Sequence, residues 1–141
     1  MAELRPISPT IVAVLASIDT CDRVDVPEGA TAMRIAPREL WLVGLADADT
    51  VRTGVDEPGA IVEDVSDAWT AFELEGDDVR DVVARLSDLQ LPDTGWIQGE
   101  VTRAAAKLIV RPGAITVLVP AMLGAHVEQR IRIDAAELLA P

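Results

Sequence analysis

Apolar residues fall into short separate runs along the chain, and the spacing inside each run predicts its element. The clearest is 77–87, where Val79, Val82, Val83 and Leu86 recur at i, i+3, i+4 and i+7, one stripe of an amphipathic helix. Asp77 and Asp78 stand at its start and Arg85 near its end, the signs that the helix dipole favours. A second helix is predicted after Pro120, a residue suited to the first helical position, with Leu123, Val127 and Ile131 on one stripe. A last short helix is predicted from Asp134, with Glu137 three residues on as a capping-box-like pair.

Strand patterns fill most of the rest. Residues 31–45 (TAMRIAPRELWLVGL) read as a hairpin with its turn at Pro37. Residues 60–74 read as two strands broken near Ser66–Asp67. In the second, Thr70, Phe72 and Leu74 share one face, and Trp69 and Ala71 the other. Residues 98–119 hold two or three strands, with KLIV and ITVLV joined at Pro112–Gly113, a pair suited to the centre of a type II turn. IVAVLASI (11–18) fits a strand or part of a short helix, and RVDV (23–26) fits a short strand. Residues 46–59 read as a loop with room for one short helical turn. LPDTG (91–95) reads as a loop, and GWIQG (95–99) as a loop entering a strand.

These elements predict an α+β fold, with antiparallel sheet or sheets and helices packed on one side, in a single domain. MRIAPRELWLVGL and KLIVRPGAITVLVPA share the order strand, Pro-bearing turn, apolar strand, a hint of two similar half-units. Residues 1–30 form a weakly patterned N-terminal segment ahead of the domain at 31–141. The length of 141 residues suits one ordinary domain.

Composition removes whole classes of function. Acidic residues number 24 against 12 basic ones, for a net charge of −12. Phosphate contacts need clustered Lys and Arg, so nucleic acid is not expected as a partner, nor is an anionic membrane surface. The apolar run at 11–18 is far below the roughly 20 residues of a membrane span. One Cys and one His do not make a Cys/His zinc site. The lone Cys fits a reducing compartment, and a cytoplasmic location is expected.

Candidate chemistry is sparse. The carboxylates around EGDD (Glu73, Glu75, Asp77, Asp78, Asp81) fit a solvated strand end and helix start. DADTVRTGVDEP (47–58) fails as a calcium loop, because Val51, Arg52 and Pro58 take positions that need a ligand, a Gly and a bidentate Glu. No serine lies in a GxSxG elbow, and no GxGxxG or P-loop is present. His126 reads as a partly exposed helix residue and Cys21 as a small buried one. No catalytic, cofactor or metal residue is assigned. The tryptophans remain: Trp41 as core, Trp69 on the sheet face opposite Phe72, where it meets either a covering layer or a partner, and Trp96 between glycines, as either a partner contact or local loop packing.

Three stretches carry a family resemblance: RIAPRELWLVG (34–44), DVSDAWTAFELEGDDVRDVVARL (64–86) and GEVTRAAAKLIVRPGAITVLVPA (99–121). In order and spacing they resemble the gamma subunit of heterotetrameric sarcosine oxidase and, more broadly, the aminomethyltransferase (glycine cleavage T-protein) folate-binding fold. The matching positions are the Pro-bearing turn and Trp strand at Pro37–Val43, then Asp64, Val65 and Ser66, then Leu74 and Gly76 before the helix. Gly99, Thr102 and Arg103 follow, then VLVP (117–120) ahead of a helix. The likeness spans about residues 31–133.

It implies an accessory, non-catalytic gamma subunit of a flavoenzyme complex that demethylates sarcosine or a related N-methyl amine and passes formaldehyde to tetrahydrofolate. It implies FAD, FMN, NAD and tetrahydrofolate in other subunits, with none bound by this chain, and alpha, beta and delta subunits as partners. Trp69, Trp96 and Arg103 are the candidate partner contacts. The alternative is a stand-alone folate- or pterin-binding domain of T-protein type, with Asp64 or Glu100 facing the pterin.

Overall fold

The computed structural model describes residues 1–141, and the chain divides into two compact units. One is continuous, Pro9–Asp67. The other is split, joining Met1–Ser8 to Ala68–Pro141.

The continuous unit runs β2 (Thr10–Leu15), α1 (Ile18–Arg23), β3 (Ala30–Ala36), β4 (Glu39–Gly44), α2 (Ala48–Gly54) and β5 (Ile61–Asp64). Its sheet has the order β3-β4-β2-β5 and every pair is antiparallel. That is the β-α-β-β-α-β ferredoxin-like plan. One sheet face presents Val12, Val14, Leu40, Leu42 and Val62, which pack with Cys21 of α1 and Val51 of α2. The other face carries Ile11, Ala13, Met33, Trp41 and Val43, all buried. With both faces buried, β2 and β4 read as continuous apolar runs rather than alternating ones.

The split unit contains β1 (Glu3–Ile7), β6 (Trp69–Glu75), α3 (Val79–Leu86), β7 (Gly95–Val101), β8 (Ala104–Arg111), β9 (Ala114–Pro120) and α4 (Gly124–Asp134). Its antiparallel sheet has the order β1-β6-β9-β8-β7. Read from the other side, β8-β9-β6-β1 repeats β3-β4-β2-β5 strand for strand. In each unit a central strand leads to a helix, then a hairpin, then a second helix. The two half-units hinted at in the sequence are therefore present. They differ in the last strand: β5 follows its helix, whereas β1 comes from the N-terminus, and β7 is added at the hairpin edge.

Helices α3 and α4 pack on one face of this sheet. Val79, Val82, Val83 and Leu86 join Val127 and Ile131 over Phe72, Leu74, Leu108, Val110, Ile115, Val117 and Val119. The stripe read from spacing at 77–87 is thus the buried stripe of α3, and Leu123 packs at the edge of the same core.

Several elements differ from the sequence expectation. RVDV is not a strand: Arg23 ends α1, and residues 24–27 are irregular. The loop at 46–59 contains α2, seven residues long. GWIQG is not a loop, because Gly95 already begins β7, paired to Val110. Asp134 does not cap a last helix. It ends α4, where Arg130 holds its carboxylate, and only a three-residue 3-10 turn follows at Ala136–Leu138. Glu137 pairs instead with Arg85 of α3, 2.8 Å away. Residues 1–30, set apart as weakly patterned, hold β1, β2 and α1 and are shared between the two units.

Candidate functional site

The split unit has a cleft of about 980 Å³. Three segments make its walls: the end of α3 with the residues after it, the turn between β7 and β8, and one side of α4. Local hydrogen bonds tie the first two together. The Thr102 amide donates to the Leu86 carbonyl at 2.9 Å. The Ser87 hydroxyl donates to the Glu100 carbonyl at 2.5 Å and accepts from the Leu89 amide at 3.2 Å. Gly99 leaves room for this closure, since a Cβ there would sit 2.4 Å from Leu89 Cδ2.

The β7–β8 turn is unusual. Thr102 and Arg103 join the strands directly, with φ of +51° and +68°. Two-residue hairpin turns with positive φ at both positions favour Asn-Gly, because other side chains crowd the backbone there. A β-branched residue at positive φ is an outlier. The Thr102 hydroxyl is also buried with no hydrogen-bond partner, a rare state for a buried polar atom.

On the facing helix, His126 is exposed toward the cleft, and Arg130 is held by Asp134 through two 2.7 Å contacts. Asp88 and Glu100 complete the charged lining, while Leu86, Leu89, Ala104 and Leu123 supply an apolar surface.

The three residues expected to contact partners do not form one group. Trp96 lies opposite Ile109, and Trp69 opposite Pro120. Following the register across β8 and β9 puts both indoles on the same sheet face, the one away from α3 and α4. Lys107, the chain's single lysine, sits over the Trp69 ring with Nζ 4.5 Å from the centroid, a cation–π distance. Arg103 is in the cleft instead. Trp41 is buried core, its indole N–H donating to Glu39 at 2.7 Å.

The carboxylates have structural partners. Burial pushes the Glu73 carboxyl up, but Arg5 and Arg111, each at 3.0 Å, outweigh it and hold it below the ordinary range. Asp78 meets the N-terminal ammonium at 3.2 Å. Hydrogen bonds from Ser66 lower the Asp64 carboxyl, so that side chain is committed to its own turn. Cys21 is buried in the core of the continuous unit. No three His, Cys, Asp or Glu side chains converge as a metal site. No helix is long and apolar enough to cross a membrane.

Sequence reasoning singles out Glu100, Arg103 and His126 separately, but not the cleft. Asp88 and Arg130 carry no signal in the sequence, and Asp134 reads there only as a helix cap.

No family model matches the chain, and no curated protein matches it in sequence. Among solved structures it is similar to a chain of the heterotetrameric sarcosine oxidase from Corynebacterium sp. U-96 in complex with pyrrole 2-carboxylate. The identity is 16%, over 99% of this chain and 86% of that one, with a TM-score of 0.83. At that identity the likeness establishes a fold: this chain is built on the same plan as a chain of heterotetrameric sarcosine oxidase.

Proposed function

We propose that this chain is the small gamma-type subunit of a cytoplasmic, heterotetrameric sarcosine oxidase-like flavoenzyme. It acts as an accessory piece that packs against the alpha, beta and delta subunits. Those subunits hold FAD, FMN, NAD and tetrahydrofolate, oxidise sarcosine or a related N-methyl amine, and pass the formaldehyde on. The observation that carries the reading is the fold likeness over nearly the whole of both chains. Such end-to-end agreement is what a subunit of the same kind requires, and a shared module inside a larger enzyme does not.

The side-chain inventory supports an accessory role. With one His, one Lys, one Cys and no Tyr, general acid–base groups other than carboxylates are few. Trp69 and Trp96, together on one sheet face, are the anchors proposed for the partner, since tryptophans dominate interface energetics.

The test is co-expression with the alpha, beta and delta subunits of a heterotetrameric sarcosine oxidase. The expected outcome is a stoichiometric complex with bound flavin absorbance, weakened by Trp69→Ala and Trp96→Ala. A stable monomer that retains no flavoprotein overturns the reading.

A further inference from the structure

We propose that the cleft of the split unit binds a small organic monocarboxylate: an apolar body carrying one carboxylate, held by Arg103 and His126.

The first observation is an unused cation. Acidic residues outnumber basic ones two to one, and the other arginines of this unit are engaged. Arg5 and Arg111 bond Glu73, Arg85 bonds Glu137, Arg130 bonds Asp134, Arg132 bonds Glu128, and Arg80 bonds the Pro92 carbonyl. Arg103 has neither an ion pair nor a hydrogen bond, and it stands at the cleft with His126. A guanidinium offers planar paired donors that match a carboxylate.

The second observation is the backbone that places it. The turn holds a Thr and an Arg at positive φ, where Asn-Gly would sit without strain. Strain of this kind persists where the surrounding structure enforces it, and it concentrates at binding and catalytic sites. The same turn leaves the Thr102 hydroxyl enclosed and unpartnered beside the cleft, a rare state for a buried polar atom and a second mark of an enforced local structure.

Size and charge then select the ligand class. The volume of about 980 Å³ exceeds what a bare ion fills and falls among small-molecule sites. Leu86, Leu89 and Leu123 line it, so an apolar body loses water on entry. Asp134 already neutralises Arg130. Asp88 and Glu100 remain on the wall and repel a second negative charge. A monocarboxylate fits these conditions better than a phosphate dianion.

His126 is the chain's single histidine, so its imidazole proton resonances report the cleft without ambiguity. The intact chain is titrated with hexanoate, acetate, hexylamine and inorganic phosphate at constant ionic strength. The expected result is a saturable His126 shift with hexanoate and a weaker one with acetate, the affinity falling about fourfold for each buried methylene removed. Hexylamine and phosphate give none.

Arg103→Gly removes the guanidinium and eases the φ of +68°, so it is expected to melt no lower than the parent. It loses hexanoate affinity by about tenfold or more. A hexanoate shift that never saturates, equal saturation by hexylamine, tighter binding of phosphate, or unchanged affinity in Arg103→Gly overturns the proposal.

Discussion

The two units share a strand order but secure their helices in different ways. In the split unit, α3 and α4 have eight and eleven residues, and neither has a side-chain hydrogen bond at its N-cap. They are held by apolar stripes that sink into a large core. In the continuous unit, α1 and α2 have six and seven residues and bury one side chain each, Cys21 and Val51. Helices this short are not stable on propensity alone.

Both short helices are fastened by side-chain hydrogen bonds at the N-terminus instead. Ser17 accepts from the Thr20 amide at 3.2 Å, and Asp47 accepts from the Thr50 amide at 3.1 Å and its hydroxyl at 2.7 Å. Glu57 adds a clamp across α1, accepting from the Ser17 amide at 3.0 Å and the Thr20 hydroxyl at 2.7 Å. Burial supports a helix in proportion to its length, and capping does not depend on length. One plan therefore tolerates long helices in one copy and short ones in the other.

Core truncation strikes the burial-held copy hardest. Ile131 of α4 is fully buried, and Ile131→Ala is expected to cost about 2–5 kcal/mol. Hydrogen exchange should show the loss across α3, α4 and β6. If exchange accelerates no more than for a surface substitution, burial is not what holds these helices. The continuous unit has its own sensitive point at Gly44, where φ is +125° and an added Cβ would lie 2.5 Å from the Gly29 carbonyl oxygen. Both the backbone and the space oppose a side chain, so Gly44→Ala is expected to cost about 2 kcal/mol. A neutral outcome in a denaturant melt would show that the end of β4 is free to move.

The same contrast explains what was readable in the sequence. The stripe Val79, Val82, Val83 and Leu86 marks α3 because burial writes a period of 3.6 into the chain. The short helices write no such period. Their signal is the repeated pattern of a cap residue, any residue, Asp, then Thr: SIDT at 17–20 and DADT at 47–50. Thr in place of the usual Glu hides it from a capping-box search. The sequence pattern starts this strand only at 98, because Gly95 and Gly99 read as loop residues, whereas β7 begins at Gly95 and Gly99 makes room for Leu89.

The cleft was less legible still. It unites residues 86–89, 100–104 and 123–134, which only the fold brings together. The turn that builds it, Thr102–Arg103, lacks the Asn or Gly that announces a tight hairpin.

Cap removal tests the other half of the comparison with a smaller effect. Ser17→Ala takes away the acceptor for the Thr20 amide and is expected to cost about 1 kcal/mol. Exchange should quicken in α1 while α3 and α4 remain protected. Equal acceleration in α3 would mean that the units do not differ in the way argued.

The smallest effect is electrostatic. Asp47 is lowered by hydrogen bonds from Thr50, Glu57 by those from Ser17 and Thr20, and Asp64 by those from Ser66. All three belong to the continuous unit, while Glu73 is the one lowered carboxyl in the split unit. A carboxyl with a depressed folded value adds stability that is fully present above its unfolded value, about 3.9 for Asp and 4.3 for Glu. That stability is lost as the pH falls through the lower folded value. Acidification from pH 6 to pH 3 should therefore open α1 and α2 before α3 and α4, by a modest margin because exposed groups are screened. Glu57→Gln should flatten the pH dependence at α1 and leave α3 unchanged. Acid opening that begins at α3 would assign the pH response to the Arg5–Glu73–Arg111 cluster and not to the capped helices.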